Sequence, residues 1–265
     1  MMKLKGSGVS PGIAIGRVFY MEKAKKDIIK RNINDIPGEL NRLSSAVDTC
    51  LNDLEELREK TQRDAGEESS MIFETHSIML TDPDFIGEAE KMIEKECVNA
   101  EYAVKLAGDR LAEMLSLSPS EFMRERAADV KDITSSLLNA LAGKKLSLPK
   151  GEKFIIAAED LSPGETASFD RDSVLAFVTK LGSSTSHTSI LARTMGIPAI
   201  VGVELQSAIC DGRVMYADGN TGTVYIDPDE ATLREAEEQI RLQKENDLKL
   251  SALIGQDTVT KEEGR

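Results

Sequence analysis

The spacing of apolar residues changes twice along the chain, and this constrains the fold more than any other feature. Between residues 36 and 142 apolar side chains recur every three or four positions, which is typical of helices packed on one face. The first such seam comprises Leu40, Leu43, Val47, Cys50, Leu54 and Leu57. Residues 3–21 and the region after Lys153 instead contain short apolar and β-branched runs of strand length. The sequence therefore predicts a helical block inserted into an α/β domain built from both ends of the chain.

Chemical signals mark the helix ends inside the block, because small polar residues ahead of Pro or Ala are typical N-caps. The helices are expected to begin near Pro37, after Thr81 or Asp82, after Asn99 and after Ser118. Gly143 is a suitable residue to end the last of them. We expect a four-helix arrangement in which one helix is broken around Gly66 or Thr81.

The remaining segments alternate between strands and short helices. The predicted strands cover residues 154–157, 174–178, 198–201, 214–217 and 223–226. The last two strands form a hairpin, and a long polar helix follows from Asp227 and Pro228. The predicted domains are a discontinuous α/β domain (1–33 and 147–230), a helical domain (34–146), and a linker helix with a tail (231–265).

The bulk composition limits the class of partner. The net charge is −13 and the pI is about 4.8, which disfavours nucleic acid and anionic membranes and favours a basic protein. No apolar run is long enough to cross a bilayer and residues 1–16 do not resemble a secretory signal, so the cytoplasm is the expected compartment. The three cysteines, Cys50, Cys97 and Cys210, are too widely spaced to indicate a disulfide framework or a metal site.

The segment that bears chemistry is residues 182–193, where a glycine and several hydroxyl residues lie between a predicted strand and a predicted helix. Amide groups and the helix dipole at such a junction stabilise a phosphate. His187, one of two histidines, would lie in the first turn, where the dipole favours a neutral and nucleophilic imidazole. The alternative is that His187 is an ordinary surface or capping residue.

Residues 182–202 resemble the phosphohistidine motif G-G-x-T-S-H-x-(A/S)-I-x-A-R, followed by (L/I)-P-A-I-V-G, of phosphoenolpyruvate-utilising proteins. Enzyme I of the bacterial sugar phosphotransferase system, pyruvate phosphate dikinase and phosphoenolpyruvate synthase share this motif. Residues 7–16 (SGVSPGIAIG), 125–132 (ERAADVKD) and 160–166 (DLSPGET) resemble enzyme I in the same order. The resemblance extends from about residue 3 to the last residues, and the helical insertion favours enzyme I.

The resemblance implies an α/β phosphohistidine (swivelling) domain with an inserted all-α helical-bundle subdomain and a C-terminal linker helix. His187 is then the phosphorylated nucleophile, acting through Nε2. The supporting residues are Thr166, Gly182, Thr185, Ser186 and Arg193. Thr166 would donate a hydrogen bond to the ring or the phosphate, and the alternative is an ordinary residue at a helix start. Arg193 would contact the phosphate, and the alternative is helix-surface packing or a local salt bridge. Ser183 replaces the second glycine of the family motif.

In enzyme I, the segment that matches residues 66–80 helps to bind the histidine-containing phosphocarrier protein. The partner-binding residues implied here are Glu67, Glu68, Met71, Glu74, His76, Met79, Leu80, Asp82, Asp84 and Arg126. The methionines and Leu80 would form an adaptable apolar patch, and the carboxylates would steer a basic partner. Without the family, the same residues would be core residues and a solvated helix face.

The implied activity is that of a phosphoenolpyruvate-protein phosphotransferase, a transferase of sugar transport. In enzyme I, a C-terminal barrel binds phosphoenolpyruvate and Mg²⁺. Since no segment here could supply that barrel, we expect no cofactor or metal in this chain, no autophosphorylation by phosphoenolpyruvate, and a monomer where the full-length enzyme is a homodimer. The alternatives are the phosphohistidine domain of a dikinase or synthase, and a non-catalytic regulatory module on the same fold.

Overall fold

The structure is a computed structural model that describes residues 1–22, 28–143, 152–184 and 186–254. At positions 171, 187, 243, 244 and 246–254 it describes the backbone alone. The contacts divide the described residues into two compact units. The α/β unit draws on Met1–Glu22, Glu152–Asp160 and Arg171–Arg265, and the helical unit on Lys23–Gly151 and Leu161–Asp170.

The helical unit contains one broken helix, two long helices and two short ones. Its helices are α1 (Ile36–Ala65), α2 (Glu67–Leu80), α3 (Glu88–Glu96), α4 (Ala100–Ser116), α5 (Glu121–Leu141) and α6 (Pro163–Ser168). The predicted break is confirmed at Gly66, whose φ of 86° interrupts the α1–α2 run. A π-helical turn, Pro83–Gly87, is capped by the Asp82 side chain and leads into α3.

The core of this unit lies between α1, α3, α4 and α5. Of the predicted seam, it buries Leu43 and Cys50 and packs against the partly buried Leu40, Val47 and Leu54. Leu43, Phe85, Ile93, Val104 and Leu137 are fully buried there. The helix ends agree with the chemistry expected of them, because α4 begins directly after Asn99 and Gly143 follows α5 with a left-handed φ of 64°. The start of α5 differs from the prediction: its N-cap is Ser120, while the hydroxyl of Ser118 accepts a hydrogen bond from the Ser120 amide.

The α/β unit is built on one eight-stranded sheet. Its strands are β1 (Met2–Lys5), β2 (Ser7–Ser10), β3 (Ile13–Met21), β4 (Phe154–Ala158), β5 (Val174–Thr179), β6 (Ala199–Val201), β7 (Val214–Asp218) and β8 (Thr223–Ile226). Its helices are α7 (His187–Met195), α8 (Ser207–Cys210) and α9 (Glu230–Ile254). The spatial order is β1-β8-β7-β3-β4-β5-β6-β2, and the four consecutive strands β3 to β6 are parallel.

The two edge strands of this sheet are consecutive in the chain. Only Gly6 separates β1, which pairs with β8, from β2, which pairs with β6. The two edge strands are therefore joined directly through Gly6, whose amide donates a hydrogen bond to the Gly222 carbonyl oxygen. A Cβ on Gly8 would lie 2.0 Å from the Gly219 carbonyl oxygen, so only glycine fits where β2 crosses the β7–β8 turn.

The fold class predicted from the sequence is confirmed, with two differences in detail. Residues 1–22 form three strands where one or two were expected. Leu161–Asp170 groups with the helices, although the sequence placed it in the α/β domain. The reason is a contact with α1: the Lys60 ammonium group donates hydrogen bonds to the carbonyl oxygens of Ala167 and Phe169 at the end of α6, over 2.8 and 2.7 Å. The boundary predicted between residues 146 and 147 and the tail after residue 254 lie outside the described residues.

Candidate phosphohistidine loop and docking surface

His187 is the first residue of helix α7, at the carboxyl end of the parallel strand β5. The segment β5–α7–β6 connects one parallel strand to the next, so the start of α7 follows the carboxyl end of β5, where parallel sheets place their ligands. The α7 dipole directs its positive end towards the preceding loop, residues 180–186. An anionic group on the first turn of α7 would be stabilised there.

Ser186 is the N-cap of α7. Its hydroxyl oxygen accepts a hydrogen bond from the Ser189 amide over 3.3 Å, and the hydroxyl also donates to Ser189 Oγ over 2.9 Å. The Ser189 hydroxyl in turn donates to the Ser183 carbonyl oxygen over 2.7 Å. This chain of hydroxyl groups fixes the loop to the first turn of the helix. Ser189 is fully buried and was not predicted to support the site. Its position three residues after Ser186 is typical of a capped helix start.

Arg193 lies one and a half turns after His187 on the same helix. Its Nη1 donates to the carbonyl oxygens of Ser184, over 3.0 Å, and Val9, over 3.1 Å. The guanidinium therefore fastens the loop to strand β2. This contact supports the packing role that the sequence left open for Arg193.

The glycine and serine at the start of the loop have different backbone requirements. Gly182 has a φ of 116°, in the region that glycine alone adopts readily. Ser183 stands where the family motif has glycine, but among the described residues only Cys97 and Asp227 are non-glycine residues with positive φ. The serine therefore causes no backbone strain. Thr185, predicted to orient the imidazole, lies outside the described residues.

Thr166 belongs to the helical unit. It is fully buried in α6, where its hydroxyl donates to the Ser162 carbonyl oxygen over 2.9 Å. A capping box between Ser162 and Glu165 begins this helix. The predicted contact between Thr166 and the His187 ring stays a prediction.

The predicted partner-binding residues divide into exposed and buried groups. Exposed side chains are those of Glu67, Glu68, Met71, Glu74, Asp82 and Asp84, and those of Met79 and Arg126 are partly exposed. The prediction that His76 and Leu80 lie on the partner-binding surface is wrong. His76 is 3% exposed and Leu80 is 1% exposed, because both lie on the side of α2 that faces the rest of the helical unit.

The structure adds exposed apolar residues that the sequence analysis did not select. They lie on α2, at the end of α4 and at the start of α5: Ile78 (65% exposed), Met114 (58%), Leu117 (77%), Phe122 (60%) and Met123 (38%). We call these five, together with Met71, the apolar surface. Exposed apolar side chains on neighbouring helices make these residues candidates for a protein-binding face. The sequence pattern does not mark Phe122 as exposed, because it lies at helical spacing from the buried Val130 and Ile133 of the same helix.

In the described part of the chain, no three His, Cys, Asp or Glu side chains come close enough together to hold a metal ion. No helix within the same ranges has both the length and the apolar character needed to span a bilayer.

Comparison with known proteins identifies two matching family models. Residues 5–126 match the N-terminal domain of phosphoenolpyruvate-utilising enzymes, and residues 150–222 match the mobile domain of the same enzymes. The curated relatives include the phosphoenolpyruvate-protein phosphotransferases of Bacillus subtilis (strain 168) and Latilactobacillus sakei, which are 34% and 36% identical over 99% of this chain. The chain spans 46% of the length of each.

Solved structures show the same similarity. The solution structure of an enzyme I protein superposes with a TM-score of 0.75 and 33% identity, covering 91% of this chain and 99% of that one. A structure described as the N-terminal domain of Enzyme 1 - Nitrogen gives a TM-score of 0.66 at 25% identity, with 90% and 99% covered.

Proposed function

Because the chain belongs to the phosphoenolpyruvate-utilising enzymes and matches the N-terminal part of enzyme I, we propose that it carries a phosphoryl group on His187. The group would pass from phosphoenolpyruvate, bound by a further domain of the full-length protein, to the histidine-containing phosphocarrier protein of the sugar phosphotransferase system. The observation that supports this most is the position of His187 at the start of a capped helix after a parallel strand.

The proposed chemistry is an in-line displacement at phosphorus. Nε2 of His187 attacks the phosphoryl group of the donor, a new N–P bond forms, and the bond from phosphorus to the donor breaks. The transferred PO3 group spreads its negative charge over three oxygens, so catalysis rests on positioning and on charge stabilisation. The positive end of the α7 dipole supplies charge stabilisation, while Ser186 and Arg193 keep the loop in place.

The apolar surface is the proposed docking site for the phosphocarrier protein. Its six side chains come from α2, α4 and α5, and carboxylates of α2 and of the following turn surround its α2 edge: Glu67, Glu68, Glu74, Asp82 and Asp84. Such an arrangement combines buried apolar contact with long-range attraction of a basic partner. The partner is therefore expected to present an apolar patch with basic residues around it.

Compartment and oligomeric state are part of the same proposal. Cys50, Cys97 and Cys210 are free thiols, as expected in a reducing cytoplasm. We place the phosphoryl exchange there and expect this chain to exchange phosphate as a monomer.

The test is transfer from the phosphorylated phosphocarrier protein to the purified chain. We expect one acid-labile phosphoryl group per chain by intact-mass analysis, lost in His187→Ala. The matched control is His76→Gln, which alters the second of the two histidines and should still accept phosphate at saturating donor. No phosphate on the wild-type chain, or phosphate that persists in His187→Ala, would contradict the proposal. A dikinase or synthase domain would accept no phosphate from this donor.

A further inference from the structure

A buried histidine and a buried carboxylate face each other inside the helical unit, and the phosphoryl chemistry uses neither. His76 of α2 is 3% exposed and Asp129 of α5 is 6% exposed. His76 Nε2 lies 3.5 Å from Asp129 Oδ1, and in the described part of the chain this nitrogen has no shorter hydrogen bond. Because an unpaired buried polar group is costly, the carboxylate is the natural acceptor for a proton on Nε2.

The second carboxylate oxygen of Asp129 bonds a partly exposed side chain, that of Arg126. Asp129 Oδ2 accepts a hydrogen bond from Arg126 Nη1 over 2.8 Å. Burial raises the pKa of the Asp129 carboxyl, but the contacts with His76 and Arg126 together outweigh burial and hold that pKa below its usual range. The carboxylate thus stays charged at neutral pH. One of its oxygens faces the buried His76 ring, and the other bonds the partly exposed Arg126 guanidinium.

The outer face of this arrangement belongs to the apolar surface. The guanidinium carbon of Arg126 lies 4.7 Å from the centroid of the Phe122 ring, a cation–π distance. Phe122 is 60% exposed. Arg126 is therefore held on one side by Asp129 and on the other by Phe122, and a side chain fixed before binding loses less conformational entropy on binding.

The charge of Arg126 makes this restraint important. The carboxylates around the α2 edge of the apolar surface indicate a basic partner, which a free guanidinium would repel. Asp129 neutralises that charge while it leaves the remaining N–H donors of the guanidinium available. An arginine paired in this way can donate to carbonyl or carboxylate oxygens of a partner that is basic overall.

We propose that Asp129, supported from the buried side by His76, is a positioning residue that orients Arg126 against Phe122 for binding of the phosphocarrier protein. The proposal rests on the proposed function, since it assumes that partner. It assigns His76 an indirect role in docking: the imidazole contacts Asp129 and no partner atom.

The experiment compares Asp129→Asn, Arg126→Ala and the double variant by calorimetric titration with the phosphocarrier protein. Asp129→Asn should weaken binding about tenfold in the wild-type background and have no further effect in the Arg126→Ala background. In transfer assays the KM should rise while kcat at saturation stays unchanged. Asp109→Asn, which alters an exposed carboxylate paired with Lys105 on α4, is the matched control and should bind normally.

Two further measurements separate positioning from loss of structure. His76→Gln keeps an N–H donor towards Asp129 and should bind close to wild type, whereas His76→Leu should resemble Asp129→Asn. In ¹⁵N NMR, the His76 ring should show a proton on Nε2 in the wild type, and its shifts should change in Asp129→Asn. Should Asp129→Asn fail to fold, Arg126→Lys, which keeps the charge but not the planar fork, should still weaken binding.

The outcomes are distinguishable. If the wild type binds and Asp129→Asn binds equally well, the positioning role is wrong and the proposed function stands. If Asp129→Asn weakens binding by the same factor with and without Arg126, the effect is structural and the positioning role is again wrong. If the wild type does not bind the phosphocarrier protein, the proposed function fails as well.

Discussion

Arg193 Nη1 donates a hydrogen bond to the Ser184 carbonyl oxygen over 3.0 Å, which connects helix α7 to the loop that leads into it. The same nitrogen lies within hydrogen-bond distance of the Val9 carbonyl oxygen in β2. One side chain thus fixes three segments of the α/β unit around the start of the helix. The nucleophile proposed at position 187 depends on that loop for its place.

Replacement of Arg193 by Ala should therefore slow phosphoryl transfer without unfolding the protein. We expect a fall of about tenfold to a hundredfold in the transfer rate, because small displacements of a reacting group have effects of this size. Single-turnover transfer from the phosphorylated phosphocarrier protein measures it. Arg234→Ala, which removes an exposed arginine paired with Glu230 on α9, is the control. Equal rates in the two variants would contradict the role of Arg193.

Replacement of Ser186 by Ala should destabilise the first turn of α7. The hydroxyl accepts from the Ser189 amide, and loss of an N-cap of this kind costs about 1 kcal/mol. Hydrogen exchange of the α7 amides should become faster. Thr194→Ala changes an exposed hydroxyl on the same helix that donates to the Ile190 carbonyl oxygen and does not cap the first turn, so exchange there should stay near wild type. A similar acceleration in both variants would argue against capping.

Replacement of Gly8 by Ala should prevent β2 from crossing the β7–β8 turn. The new Cβ would lie 2.0 Å from the Gly219 carbonyl oxygen, and a backbone atom cannot move aside as a side chain can. We expect a loss of about 3 kcal/mol or more in the stability of the α/β unit. Gly212→Ala meets open space and only a positive φ of 71°, so it should cost about 1 kcal/mol. Urea unfolding of both variants tests the difference, which equal losses would refute.

Replacement of Leu117 by Ser should weaken binding of the phosphocarrier protein without loss of stability. The side chain is 77% exposed at the end of α4, so the folded chain loses little when it becomes polar, whereas a complex would lose about tenfold in affinity. Leu242→Ser alters a leucine that is 48% exposed on α9 of the α/β unit and should bind normally. An unchanged affinity in Leu117→Ser would exclude this residue from the docking surface.

Replacement of Arg42 by Gln should lower the stability of the helical unit in a pH-dependent way. Arg42 of α1 makes two hydrogen bonds to Glu101 of α4, which lower the pKa of that carboxyl to about 2. Because folding lowers the pKa of Glu101, the folded state is stabilised at pH values above the unfolded pKa of 4.5. This stabilisation is lost as the pH falls towards 2. Because solvent screens the pair, we expect a deficit of about 1 kcal/mol at neutral pH.

Urea unfolding at neutral pH and at about pH 3 measures this deficit, which should shrink in acid. Arg58→Gln removes an exposed pair with Glu55 on the same helix and should change stability less. A deficit that stays constant between the two pH values would show that Glu101 is not the group responsible.

The helices of this protein were predictable because the sequence signals for their starts and ends lie within a few residues of each helix terminus. Asn99 and Gly143 mark a helix start and a helix end through their own backbone preferences, and the structure places both as expected. The hairpin of β7 and β8 was predictable for the same reason, since a short turn fixes its pairing. His187 could be placed at a helix start from the glycine and hydroxyl residues that precede it.

Other features depend on contacts between distant residues, which local patterns do not encode. The pairing of β1 with β8 is one, and the hydrogen bonds from Lys60 that hold α6 in the helical unit are another. The burial of His76 was missed although a signal was present: Phe73, His76 and Leu80 follow helical spacing and share the buried side of α2. His76 was placed on the partner-binding surface from the resemblance to enzyme I, and the helical spacing was the better guide to its burial.

The direct join of β1 to β2 at Gly6 also imposes an order on folding. Met2 pairs with Ile226 and Ser7 pairs with Val201, so during synthesis the early strands must wait on the ribosome until almost the whole α/β unit has been translated. The helices α1 to α5 between these strands form no such long-range strand pairs. They can therefore fold before the edge strands β1 and β2 have paired. Such long-range pairing is slow, so residues 2–10 stay without their strand partners until residues 199–226 have been made.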